Sequence, residues 1–247
     1  MRKLLIAPVF LTVGALLVSA VVTAAPSPRA TAPTLEFAAE TFVDYAFPSH
    51  AGPGPHPATE SSDFQLTQGG ISWFSGGTVE YRITGTESVS GGNAALESAV
   101  ATWDGFIVPR TMSRNDPTTQ TNPCTGSPNT VQWSAIDGSG GALATASVCR
   151  NVATKEIVGF AVTMDSAESW ATDGSSDKFD VENVASHEFG HVAGLGHDNP
   201  PRSGCLTMYK FAGLGEVQKR TLGLGDKLGM DALYSTGDTS AGPGCAL

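Results

Sequence analysis

Charge is scarce in this chain: Asp, Glu, Lys and Arg make up 15% of its 247 residues, well under the roughly 25% usual for a globular domain. The shortage falls mainly on the basic side, with 14 Lys and Arg against 24 Asp and Glu and a formal net charge of −10. Nucleic-acid binding needs clustered cations that displace counterions from phosphates, and no such cluster occurs, so nucleic acid is excluded as a partner. Long apolar runs are equally few. The stretch from Leu4 to about Ala20 is the only one that approaches the roughly 20 residues of a membrane span. No internal repeat is present, which sets aside solenoids and propellers. Abundant Gly, 29 residues, beside so little charge suits a loop-rich extracellular α+β domain better than a helical bundle.

What is present begins with an export signature. Met1-Arg2-Lys3 precedes the apolar run, and Val22-Thr23-Ala24-Ala25 supplies small residues. A basic flank, an apolar core and a small-x-small site describe a secretory signal peptide over residues 1–24, cleaved after Ala24; an uncleaved anchor is the competing reading. The expectation is a secreted, extracellular chain with no membrane association after cleavage. Cys124, Cys149, Cys205 and Cys245 in an exported chain read as two disulfides. Three pairings are open, and Cys124–Cys149 with Cys205–Cys245 is preferred because each closes a local loop. Residues 25–63 are rich in Pro, Ala, Gly and Ser, with one apolar island from Leu35 to Phe47. Such a segment buries little surface and reads as a linker or short prosegment. The ordered domain is expected over residues 64–247.

Within that domain, Val79, Tyr81 and Ile83 alternate with polar neighbours in Thr78–Thr84, which predicts a half-buried strand. Leu96, Ala99, Val100 and Trp103 fall at helical spacing behind Gly91-Gly92-Asn93. Further strands are expected over Thr130–Ile136, Ala142–Cys149 and Ile157–Met164. A helix is predicted over Asp180–Gly194 with Asp180 as N-cap, and another over Asp226–Tyr234. One domain with strands first and helices between and after them points to an α+β fold, a mixed twisted sheet backed by long helices.

The chemistry concentrates in His187-Glu188-Phe189-Gly190-His191-Val192-Ala193-Gly194-Leu195-Gly196-His197. On a helix, His187 and His191 lie one turn apart on one face, so two imidazoles can reach one tetrahedral ion. Glu188 sits on the flank of that face, where it can touch a water at the metal without ligating it. Ten further residues of helix would carry His197 about 15 Å along the axis, so the chain must turn back. Gly194 can end the helix in a left-handed conformation and Gly196 loosens the return, which lets His197 become the third ligand. Three histidines leave one position open, as in a catalytic zinc site and unlike a closed structural one. A chance match is the competing reading. His50 and His56, in the Pro-rich segment, read as solvated.

This pattern resembles the metzincin metalloproteases, with Met208 in Cys205-Leu206-Thr207-Met208-Tyr209 as the Met-turn. Within that group the chain is similar to the matrixins from Thr78 to Tyr234. The similarity is carried by Ala95, Ala99 and Trp103, by Asp137-Gly138-Ser139-Gly140-Gly141-Ala142-Leu143-Ala144, by Asp165 to Trp170, and by Leu222 to Tyr234. The resemblance implies a metzincin (zincin-like) catalytic domain with a C-terminal helix after the Met-turn. It implies a monomeric zinc metalloendopeptidase that hydrolyses peptide or protein substrates, with one catalytic zinc on His187, His191 and His197 and Glu188 as general base. By the same resemblance, Leu143 and Ala144 begin a sheet edge along which a peptide lies antiparallel, and Tyr209 lines the substrate pocket. Asp137, Asp165 and Glu168 resemble calcium ligands. Oxygen donors suit calcium, although acidic loop residues are as readily just solvated. Thr145 stands where matrixins carry a histidine of a second, structural zinc, so one zinc is expected. A catalytically silent zinc-binding adhesion or interaction module is the alternative of a different class; loss of Glu188 or of a histidine would have favoured it.

Overall fold

Alternating side chains build the sheet. In β2 (Gly77–Thr84) Val79 and Tyr81 are buried, and in β5 (Ser127–Ser134) Asn129, Val131 and Trp133 are buried between more exposed neighbours, as period-2 geometry requires. These elements belong to a computed structural model that describes residues 35–46, 61–74, 76–107, 110–198 and 205–240. Residues 1–24, read from the sequence as a signal peptide, together with His50, His56 and Cys245, lie outside the described residues.

Among the described residues the main sheet is mixed. Beyond β2 and β5, it contains β1 (Phe37–Ala46), β3 (Arg110–Arg114), β6 (Ala142–Asn151), β7 (Ile157–Asp165) and β10 (Phe211–Ala212), ordered β10-β1-β6-β7-β5-β2-β3. β4 (Thr121–Asn122) pairs with the start of β5. The neighbours β7, β5, β2 and β3 pair in parallel, whereas β1–β6 and β6–β7 are antiparallel. A two-residue ladder of β8 (Trp170–Ala171) and β9 (Phe179–Asp180) leads into the second helix.

Three helices follow from the apolar periodicity: α1 (Gly92–Asp104), α2 (Val181–Val192) and α3 (Leu224–Tyr234). The expected N-cap is formed, Asp180 accepting the Asn183 amide at 3.0 Å, which satisfies one of the orphan donors of the first turn. Trp103 of α1 donates its indole N–H to the Ser186 carbonyl of α2 at 2.7 Å. Phe189 meets the sheet through Tyr81 and Phe160, at centroid separations of 6.5 and 6.1 Å, a spacing at which aromatic pairs attract. The carbonyls that end α2 are also claimed. Val192 accepts from the Trp73 indole at 3.0 Å, and Ala193 accepts from the Tyr234 hydroxyl of α3 at 2.7 Å. The helix is thus held at its middle and its C-terminal end by partners distant in sequence.

Two expectations about covalent and strand structure meet different outcomes. Cys124 and Cys149 form a disulfide, joining the turn after β4 to β6; Cys205 is also disulfide-bonded, and its expected partner Cys245 lies outside the described residues. Part of the segment 25–63, read as a linker or short prosegment, is ordered. Residues 37–46 form a ten-residue strand paired along β6 from Phe37↔Asn151 to Tyr45↔Ala142. Its inward face presents Ala38, Glu40, Phe42 and Asp44, so polar residues sit where an apolar stripe would have announced a strand. The side of β6 expected to be an edge at Leu143 and Ala144 is occupied by β1, which pairs with it antiparallel, while β7 lies on the other side and both residues are buried. No helix among the described residues is long and apolar enough to cross a membrane.

Candidate active site

α2 positions His187 and His191 one turn apart, and both are fully buried. His187 Nδ1 lies 2.7 Å from the Thr207 carbonyl and His191 Nδ1 lies 2.8 Å from the Leu195 carbonyl. A carbonyl can only accept, so each Nδ1 carries the proton and each Nε2 presents its lone pair. Those two Nε2 atoms are 3.2 Å apart. Two lone pairs facing one another at that distance repel unless a cation lies between them, and nitrogens on one tetrahedral zinc stand about 3.3 Å apart. His197 completes the group: the ligand atoms of the three histidines lie within 4.8 Å of one another, and this is the only cluster of three His, Cys, Asp or Glu ligand atoms among the described residues. The donor set therefore fits zinc.

The return of His197 depends on Gly194, whose φ is +105°, in the region that glycine alone enters at low cost. A Cβ there would also lie 2.3 Å from the Ile71 carbonyl oxygen. Gly194→Ala is expected to lose about 3 kcal/mol from backbone strain and overpacking together. For a domain of this size that lowers the melting temperature by about 6–12 °C in a thermal scan. Gly196 has no such constraint; its amide donates to the Gln65 carbonyl at 2.9 Å.

Burial sets the electrostatics. His187 and His191 are pushed well below the usual imidazole pKa by desolvation, and then by their charged surroundings, Lys219 first for His187 and His197 first for His191. His197 is pushed down to about 4 by burial, then by Lys219 and Lys210. Neutral imidazoles are the form that binds metal. Glu188 is fully buried, and burial followed by the proximity of Asp44 raises it well above the ordinary carboxylate range. Neither of its oxygens makes a hydrogen bond of good geometry, although the backbone amide of Asp44 lies near enough to draw its pKa down.

Met208 packs directly under α2. At Gly190, between the two helical histidines and directly before His191, a Cβ would fall 2.1 Å from the Met208 sulfur, so only glycine admits this contact. The turn bearing Met208 is pinned by Asp226, whose carboxylate accepts the amides of Thr207, Met208 and Gly223 at 2.8, 3.1 and 2.8 Å. Burial lifts Asp226 to about 6 while those three amides oppose the rise. Tyr209 is half-buried, in edge contact with Phe211.

Asp137, Asp165 and Glu168 surround one loop. Asp165 accepts the amides of Asp137 and Gly138 at 3.2 and 3.3 Å, Glu168 accepts that of Gly140, and Asp137 accepts that of Ala142 at 3.1 Å. These carboxylates brace the backbone that leads into Leu143 and Ala144.

The cleft beside the histidines holds residues not singled out in the sequence. The Phe42 ring of β1 stacks on His191 at a centroid distance of 4.0 Å and an interplanar angle of 10°. Asp44, paired with Ala144 of β6, is fully buried and forms an ion pair with the equally buried Lys219, Nζ to Oδ2 3.9 Å. Burial pushes Asp44 up to about 7, against the lowering by Lys219. A signal for β1 existed in the apolar island Leu35–Phe47; none marked Lys219, since a lone lysine on a loop usually stays in solvent.

This combination of sheet, histidine-bearing helix, glycine return and underlying methionine defines a zinc metallopeptidase domain. The sequence model of the matrixins matches residues 73–235, and the chain belongs to that family. Metalloendoproteinase 4-MMP of Arabidopsis thaliana is 36% identical over 77 residues, covering 30% of this chain and 21% of the relative. The chain thus matches about a fifth of the length of that curated relative.

Proposed function

We propose that this protein is a secreted zinc endopeptidase whose cleft is filled, in the intact chain, by its own strand β1. The observation that carries the reading is the pairing of three neutral imidazoles, aimed at one point, with a buried carboxylate that has no hydrogen bond of its own. His187, His191 and His197 would hold the zinc. Bound there, zinc supplies Lewis acidity, polarising a carbonyl and lowering the pKa of water to about 7. Glu188 accepts the proton of the attacking water and returns it to the leaving amine; its raised pKa suits a group that must both take and give a proton near neutrality. A catalytically silent module would keep the histidines but would have no use for a desolvated carboxylate beside them.

The intact chain is latent in this reading. Main-chain pairing to β6 is the usual way a sheet edge grips an extended peptide, and β1 already uses it. No cysteine precedes Cys124, so release of β1 involves no thiol. Calcium at Asp137, Asp165 and Glu168 rests on family resemblance alone, since these carboxylates already serve as acceptors for backbone amides.

The test is digestion of casein by secreted protein before and after β1 is freed, with and without 1,10-phenanthroline. Digestion by the freed form that the chelator stops, together with one zinc per chain, is expected. A freed form that keeps its zinc and digests nothing would establish the silent module instead.

A further inference from the structure

The buried pair of Asp44 and Lys219 lies beside Glu188, close enough for both to act on its carboxylate. β1 runs antiparallel to β6 with Asp44 opposite Ala144, its Phe42 ring covers His191, and the amide of Asp44 faces Glu188. A peptide occupying the place of β1 would present to Glu188 the nitrogen that corresponds to Asp44. The side chain of that residue, directly after the cleaved bond, then enters the pocket that ends at Lys219. Nothing of Asp44 or Lys219 reaches solvent.

Lys219 is built into that position. It lies on a short 3-10 turn, Gln218–Arg220, its backbone N–H donates to Asn183 Oδ1 of α2 at 2.8 Å, and its ammonium donates to the Tyr209 carbonyl. One carbonyl cannot offset a buried cation, which needs a paired anion. Among the described residues the ion pair of Lys219 is with Asp44. Glu188 and Glu216 are the other buried acids nearby, yet the ion pair of Lys219 is with neither: Glu188 is drawn down by Lys219 only from beyond ion-pair distance, and one Glu216 oxygen accepts the Gly213 amide at 2.8 Å while its charge opposes that of Asp44. With β1 gone, the pocket ends in a cation whose partner has left.

We propose that Lys219 is a specificity-determining residue that selects peptides carrying an acidic residue, aspartate or glutamate, immediately after the cleaved bond, with Asp44 as the chain's own copy of that residue. The inference rests on the endopeptidase reading and names the substrate class of the same site. An apolar side chain in this pocket would leave the ammonium desolvated and unpaired, and a basic one would add repulsion; both weaken binding.

The test uses the full chain with a site-specific protease sequence placed between residues 47 and 60, folded intact, loaded with zinc, then cut and exchanged free of its N-terminal piece. In a Glu188→Gln background, synthetic peptides spanning residues 35–46 with Asp, Asn, Leu or Lys at the position of Asp44 compete for binding against a fluorescent copy. The Asp peptide should bind at least about tenfold more tightly than the Asn peptide. Lys219→Gln, which keeps a donor for the Tyr209 carbonyl, should abolish that preference, and Lys219→Arg should retain it. Equal binding of the Asp and Asn peptides would overturn the proposal. So would an Asp preference that survives Lys219→Gln but disappears when zinc is removed, because the carboxylate would then be read by the metal. With Glu188 restored, peptides with an acid after the cut should be hydrolysed fastest. If the binding preference holds but no peptide of any sequence is cut, the endopeptidase reading fails while the pocket assignment stands.

Discussion

Glu188→Gln is expected to fold normally, keep its zinc and lose nearly all peptidase activity once β1 is freed. In this reading the three histidines would supply the protein's ligands to the metal, and the two on the helix are oriented by the carbonyls of Thr207 and Leu195, not by Glu188. The glutamine is of similar size and fills the same buried site without a basic oxygen. Removing a general base costs on the order of a hundred- to ten-thousandfold in rate, and a group that also returns the proton belongs at the upper end. His191→Ala provides the contrast. It removes a ligand and should lose metal and activity together, measured as zinc content and casein turnover on the same samples. Substantial turnover by zinc-loaded Glu188→Gln would mean that another group takes the proton.

Freeing β1 is expected to raise activity by on the order of a hundred- to a thousandfold. A tethered strand competes with substrate at an effective concentration in the millimolar range, whereas a peptide of this length in trans competes only at the concentration added. The strand is anchored along its length by the β6 ladder, by Phe42 on His191 and by Asp44 against Lys219. Cutting between residues 47 and 60 severs the tether without touching the domain that holds the histidines. The initial rate on a quenched fluorescent peptide, before and after cutting, reads the effect directly. Equal rates would show that β1 does not block the cleft. Adding back a peptide of residues 35–46 should restore inhibition, less so when Phe42 is replaced by Ala, because the ring stacked on His191 is lost.

Much of the metal centre was legible because it is local. Helical spacing places His187, Glu188 and His191 on and beside one face, Asp180 announces the start of α2, and a glycine at 194 announces its end. Each of these follows from backbone geometry within a few residues, so reading them requires no knowledge of what packs against the helix. The alternation of β2 and β5 and the apolar periodicities of α1 and α3 were legible for the same reason. Period alone could not tell that β6 is flanked on both sides, because small residues such as Ala144 and Ala146 fit an edge or an interior strand equally well.

What tertiary structure decided is the content of the cleft. β1 carries an apolar island but is polar on its inward face at Glu40 and Asp44, so the sequence marked a segment there without saying what it pairs with. Lys219 is buried because Tyr209, Asn183 and Asp44 come from three separate parts of the chain to surround it. Likewise, Gly190 matters because the Met208 sulfur arrives beneath it, held there by Asp226 of α3. The amino-acid sequence by itself determined the cluster of candidate metal ligands and the helix that presents two of them, since those depend on interactions between near neighbours. Which peptide lies against them, and which charge waits at the end of its pocket, depends on contacts between segments far apart in the chain, and these exist only when the whole domain has closed around its core.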